Sequence, residues 1–106
     1  MSASPEVTGG PVAGRADQVV EQCVVLPADL HARPAGQVTR AVSAYDAVVL
    51  LDVDGRDRVD ARSVLAVMGL GAVTGQTVTI RGTGPDAVAA VAAVAAVLAT
   101  AQPLAT

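Results

Sequence analysis

From residue 19 onward the chain switches between two apolar periods, one suited to strands and one to helices. Residues 19–26, Val-Val-Glu-Gln-Cys-Val-Val-Leu, are rich in β-branched side chains and end at Pro27, which predicts a first strand. Cys23 is expected to pack there, because no Lys, Arg or His stands beside it to activate the thiol. A helix is predicted over 32–44, with Val38, Ala41, Val42 and Tyr45 forming its buried stripe and Tyr45 the largest core side chain. Arg33, Gln37 and Arg40 recur on the other face at intervals of four and three. Residues 47–53 predict a second strand with Val49 and Leu51 inward. Asp54-Gly55 then predicts a two-residue turn into an antiparallel third strand over 56–60, whose dense charge suits an exposed edge.

Ser63 precedes a short helical run over 64–68 that Gly69-Leu70-Gly71 should stop, so Ser63 suits the N-cap. Leu65 and Met68, three apart, would leave an exposed apolar patch. Residues 76–81 set Thr77, Thr79 and Arg81 against Val78 and Ile80, a fourth strand that Gly82-Thr83-Gly84 is expected to break. Pro85 and Asp86 suit the start of a last helix, and residues 87–99 are only Ala, Val or Leu. Val88, Val91, Ala95 and Leu98 are its expected buried stripe, so Val94 and Val97 would face elsewhere and leave apolar surface exposed. The order βαββαβα predicts an α+β fold: a four-stranded antiparallel sheet with three helices on one face.

Composition narrows the chemistry. The chain is 52% hydrophobic, with one tyrosine and neither phenylalanine nor tryptophan, so its core must be packed from Val, Leu and Ala at close backbone approach. Residues 1–18, rich in Gly, Ser, Pro and Ala, read as a disordered N-terminal extension before a single domain over 19–106. Ten acidic residues outnumber seven arginines, for a net charge of -3, and base-stacking aromatics are missing; no nucleic-acid partner is expected. One cysteine and one histidine cannot build a structural zinc site or an internal disulfide, so neither metal nor cofactor is expected. With no apolar run of the ~20 residues a membrane span needs, and no secretory signal, a cytoplasmic protein is expected.

The one histidine stands where the first strand gives way to the first helix, in Leu30-His31-Ala32-Arg33-Pro34-Ala35. A helix N-terminus leaves its first N–H groups without intrahelical partners and carries roughly half a positive charge, which suits an anion such as a phosphoryl group. With His31 as N-cap, the amides of Ala32 and Arg33 are unpaired, and Pro34 falls in the first turn, where its missing donor is tolerated. Such a histidine is either an ordinary capping residue or a nucleophile. The guanidinium of Arg33 beside it favours the second.

His31-Ala32-Arg33-Pro34-Ala35 and, some thirty residues on, Arg62-Ser63-Val64-Leu65-Ala66-Val67-Met68-Gly69-Leu70-Gly71 together resemble the two signature blocks of HPr, the histidine-containing phosphocarrier of the phosphoenolpyruvate-dependent sugar phosphotransferase system. The resemblance runs from about Cys23 to Leu98 and implies an open-faced β-sandwich. It implies that His31 takes a phosphoryl group on Nδ1, with Arg33 and the amides of Ala32 and Arg33 holding its oxygens. The implied partners are an Enzyme I-type donor and an enzyme IIA-type acceptor, met by a monomer through Gln37, Arg40, Leu65 and Met68. In some HPr proteins the serine matching Ser63 is phosphorylated for regulation, which would require a kinase of the HPr kinase/phosphorylase type. Asp29 stands where the family usually has glycine, and Ala28 where a small polar residue is frequent; the Asp29 carboxylate is expected to repel a phosphoryl anion. A phosphocarrier serving a dihydroxyacetone kinase and a regulatory protein-binding module of the same fold are the alternatives.

Overall fold

The computed structural model describes residues 19–56 and 58–102. The extension expected over 1–18 lies outside them, as do Asp57 and residues 103–106. Among the described residues the elements run β1 Val19–Val25, α1 Ala32–Val42, β2 Val48–Val53, β3 Val59–Asp60, α2 Val64–Gly69, β4 Thr77–Thr83 and α3 Ala87–Ala99. This is the predicted α+β order, and the sheet is antiparallel throughout, in the order β1-β4-β2-β3. The last strand in sequence therefore sits between β1 and β2, a split arrangement that ties both halves of the chain into one sheet.

Strand parity decides which side chains meet the helices. One row runs Gln22, Ile80, Leu51 and Val59, buried at Ile80 and Leu51 and exposed at Gln22 on the edge strand, and the next places Val24 and Val53 on either side of Val78. Val49, Leu51, Val53, Val78 and Ile80 are fully buried beneath the helices, each such burial stabilising the fold by roughly 1.5–3 kcal/mol. Packing sets α3 across β1 and β4, α1 against α3 and α2, and α2 over the β3 end.

The same parity corrects the expectation for Cys23. With Val24 inward, Cys23 points to the open face, where its sulfur lies 3.5 Å from the Thr79 hydroxyl. Tyr45 follows the end of α1 and is only half-buried, as is Ala41, so the stripe of that helix is Pro34, Ala35, Val38 and Val42. In the β2–β3 turn Asp54 and Gly55 both take positive φ, 54° and 73°, the backbone a two-residue hairpin requires. The third strand is shorter than the predicted 56–60, being Val59–Asp60.

Gly82 does not break β4 but lies inside it. A Cβ there would approach Val91 Cγ2 to 2.5 Å and the Ala87 carbonyl oxygen to 3.2 Å, so the bare backbone is what lets α3 settle on the sheet. The break falls at Gly84, with φ 123°. Helix α3 is rotated from the expected face: Val94 is buried with Ala87, Ala90, Val91, Ala95 and Leu98, whereas Val88 is exposed. A run of Ala, Val and Leu carries no polar positions to fix a rotation, so packing against the rest of the core decides which face is buried, and that face mixes three alanines with Val91, Val94 and Leu98. No helix among the described residues is long and apolar enough to cross a membrane.

Candidate functional site

The loop between β1 and α1 is held from both sides before it reaches His31. The N–H of Leu26 donates to the Gln76 carbonyl, that of Gly75 to the Leu26 carbonyl and that of Leu30 to the Ala72 carbonyl, each at 2.9 Å. Leu30 is buried, and the His31 N–H donates back to the Asp29 carbonyl at 3.0 Å, making a tight turn around Leu30. His31 then takes an extended backbone, φ -89° and ψ -168°, as the N-cap of α1, and its carbonyl accepts the first helical bond, from Ala35 N–H at 3.1 Å.

The His31 side chain makes no capping bond to its own helix. Ala32 and Arg33 are the first two helical residues, so their amides have no intrahelical acceptor, and they meet none elsewhere among the described residues. Pro34, buried at the third helical position, has no N–H to offer. The two unpaired amides thus lie at the positive end of α1, with the half-exposed imidazole at its cap.

The imidazole has one partner in the described structure. Its Nε2 lies 3.4 Å from the Gln102 carbonyl oxygen, a long contact across 71 residues of sequence. A carbonyl only accepts, so this contact fits a proton on Nε2 and leaves Nδ1 with its lone pair. Beside it, Arg33, Pro34 and Gln37 of α1 face Thr100 and Gln102, beyond the end of α3, across an open groove of about 330 Å³. Nothing in the chain's local pattern signals that Gln102 reaches the histidine or that Thr100 lines the groove beside it.

Arg33 and Gln37 thus share a groove with Gln102, the residue that contacts His31, and exposed Arg40 continues their face of α1 toward its last turn. On α2, which packs against α1, Leu65 is 80% exposed and Met68 38%, while Val67 is turned into the core. Ser63 caps α2, its hydroxyl accepting the Ala66 N–H at 3.1 Å. Arg62 braces the same corner by donating to the Tyr45 and Ala47 carbonyls, each at 3.3 Å.

Asp29, expected to oppose an anion at His31, has its carboxylate committed elsewhere. One oxygen accepts the Thr74 N–H at 2.8 Å and the Thr74 hydroxyl at 2.9 Å. The Thr74 amide first, then its hydroxyl and the nearby His31, hold the Asp29 carboxyl below the ordinary aspartate range. Among the described residues no group of three or more His, Cys, Asp or Glu is placed to hold a metal ion.

A small α+β domain presenting one histidine over an uncapped helix N-terminus has the make-up of a histidine phosphocarrier. Residues 20–100 match the family profile described as "PTS HPr component phosphorylation site". The chain belongs to the HPr family of phosphocarrier proteins of the phosphotransferase system. It is 41% identical over 78 residues to the phosphocarrier protein HPr of Haloferax volcanii, covering 72% of this chain and 88% of the relative. Against HPr of Treponema pallidum it is 39% identical over 68 residues, 64% of this chain and 76% of that one. The crystal structure of HPr from Bacillus anthracis superposes with a TM-score of 0.69 at 32% identity, covering 77% of this chain and 99% of the other.

Proposed function

We propose that Nδ1 of His31 accepts a phosphoryl group from a phosphorylated Enzyme I-type donor and passes it to an enzyme IIA-type acceptor. In the first step the Nδ1 lone pair forms the N–P bond while the bond from phosphorus to the donor breaks, and the donor keeps that electron pair. The second step is the same exchange with His31 as leaving group. The observation that carries this reading is the uncapped start of α1, where, among the described residues, two amides have no acceptor and the imidazole beside them is bound through Nε2 alone.

Phosphoryl transfer is largely a matter of positioning and charge stabilisation. The amides of Ala32 and Arg33 and the Arg33 guanidinium supply fixed donors for the phosphoryl oxygens, and Arg offers a planar fork that lysine lacks. The Gln102 carbonyl, near the negative end of α3, accepts a hydrogen bond from the N–H that stays at Nε2 when the ring becomes cationic. Gln37 and Arg40 on α1, with Leu65 and Met68 on α2, form the surface that donor and acceptor cover in turn, and the carrier acts in the cytoplasm as a monomer. Ser63 is read as a regulatory phosphorylation site, where added charge would alter that apolar surface.

Incubation of the full chain with phosphoenolpyruvate and an Enzyme I tests the proposal by intact-protein mass spectrometry. The expected result is a gain of one phosphoryl mass, lost in acid and stable in base. No gain, or a gain that survives acid, overturns it.

A further inference from the structure

Asp29 is the charged group nearest to His31 in sequence that the proposed transfer does not use, and its engagement differs from that of an ordinary loop carboxylate. Both of its hydrogen bonds go to one residue, Thr74, which lies 45 positions away on the loop between α2 and β4. That loop also holds the residues before His31 through the Leu30 and Leu26 amides, so Thr74 closes a clasp already begun by backbone bonds. The Asp29 carbonyl in turn receives the His31 N–H, which makes Asp29 the last fixed point before the imidazole.

We propose that Asp29 is a positioning residue for His31: clasped by Thr74, it sets the turn that aims the imidazole over the open end of α1 and keeps its own carboxylate off the phosphoryl position. The inference rests on the phosphocarrier reading for its consequence, though not for its geometry. The low carboxyl pKa fits it, since a carboxylate receiving two hydrogen bonds from Thr74 is held in its charged form. The clasp converts what would be a mobile negative charge beside an anion site into an anchor. A loop that starts from such an anchor delivers its side chain in a narrower range of directions, and misplacement of a reacting group by about 1 Å can cost up to ~100-fold in rate.

Two substitutions separate the clasp from the charge. Asp29→Asn and Asp29→Ala both remove the negative charge, but only Asn keeps an oxygen that accepts from the Thr74 N–H and hydroxyl. Full-length variants are phosphorylated with phosphoramidate, a small donor whose P–N bond breaks with release of ammonia, so no protein interface enters the rate. The expected result is that Asp29→Ala reacts about 5- to 10-fold more slowly than Asp29→Asn. Thr74→Val, which keeps its amide and leaves the Asp29 charge in place but loosens the clasp, should react more slowly than Thr74→Ser, which should match the unaltered protein. Equal rates for Asp29→Asn and Asp29→Ala overturn the proposal, whether both rise, as simple repulsion requires, or neither changes.

A second readout does not depend on transfer. In nitrogen-detected NMR of the imidazole, Asp29→Asn and Asp29→Ala lose the same negative charge, so the clasp predicts that the Nδ1 and Nε2 resonances of the Ala variant are shifted or broadened relative to those of the Asn variant. If the unaltered protein takes no phosphoryl group from any donor, the carrier reading fails, and the imidazole spectra still decide the clasp. Identical spectra for the two Asp29 variants count against it. Should Asp29→Ala fail to fold, Thr74→Val against Thr74→Ser carries the same comparison, and equal rates for that pair overturn the proposal.

Discussion

Helices α1 and α2 are neighbours that begin in opposite ways. Ser63 closes α2, its hydroxyl taking the N–H of Ala66, the third helical residue. His31 stands in the same place on α1, but its side chain makes no cap bond, and the third helical residue is Pro34, which has no N–H to bind. The proline removes the very donor that the serine of α2 uses. What is left at α1 is a pair of adjacent amides at the first two positions with no acceptor among the described residues, at the positive end of a helix dipole. A good cap stabilises a helix by about 1 kcal/mol, and α1 forgoes it. Helix α3 also starts without a side-chain cap, its Asp86 carboxylate accepting the Asp46 N–H instead, so α1 is distinguished by the histidine at its open end and by a loop held from outside the helix.

The comparison is broken most severely by removing the imidazole. His31→Ala should abolish phosphorylation by Enzyme I and phosphoenolpyruvate while leaving the circular dichroism spectrum unchanged. A phosphoryl mass on the alanine variant would mean that the open end of α1 is incidental. Arg33→Lys keeps the charge and the two amides but loses the planar fork, and a drop in phosphorylation rate of about 10-fold is expected from stopped-flow or quench assays. A lysine variant as fast as the unaltered protein would assign the oxygens to the amides alone.

The open and closed helix starts were legible in the sequence because both are local. His31 before Ala-Arg-Pro, and Ser63 before an apolar run that ends at Gly71, are cap patterns written within a few residues. The Asp54-Gly55 turn and the inward Val49 and Leu51 were legible for the same reason. What could not be read depends on distant partners or on packing. Thr74 meets Asp29 across 45 residues, and Gln102 meets His31 across 71. Gly82 looks like a strand breaker until α3 lies on it, because glycine marks both a flexible point and a close approach. In α3 every position is apolar, so the hydrophobic pattern holds no information about which side faces the sheet, and Val88 and Val94 exchange their expected places.

Stability measurements sharpen the contrast at a smaller scale. Ser63→Ala removes a made cap bond and should cost about 1 kcal/mol in urea unfolding. His31→Ala removes no cap bond and, among the described residues, a single long contact, to Gln102, and should cost less than about 0.5 kcal/mol. The two alanine substitutions occupy equivalent helix positions, so equal costs would show that the difference in capping has no energetic content.

The smallest effect concerns what holds the open end in place. If α1 is anchored through Asp29 and Thr74 rather than through a cap, its anchor carries an ionisable group and that of α2 does not. The folded-state pKa of Asp29 is lowered, by the Thr74 amide first, then the Thr74 hydroxyl, then His31. A depressed carboxyl contributes stability that is fully present above the ordinary aspartate value and is lost as the pH falls through the lower, folded value. The Thr74 amide proton should therefore move in NMR spectra with a midpoint below that of a free aspartate, and Asp29→Asn should abolish the movement. The Ala66 amide, bound to a hydroxyl, should stay still over the same range. A Thr74 midpoint at or above the ordinary aspartate value, or an Ala66 amide that moves in step with it, would mean that the two helix starts are held by the same kind of contact after all.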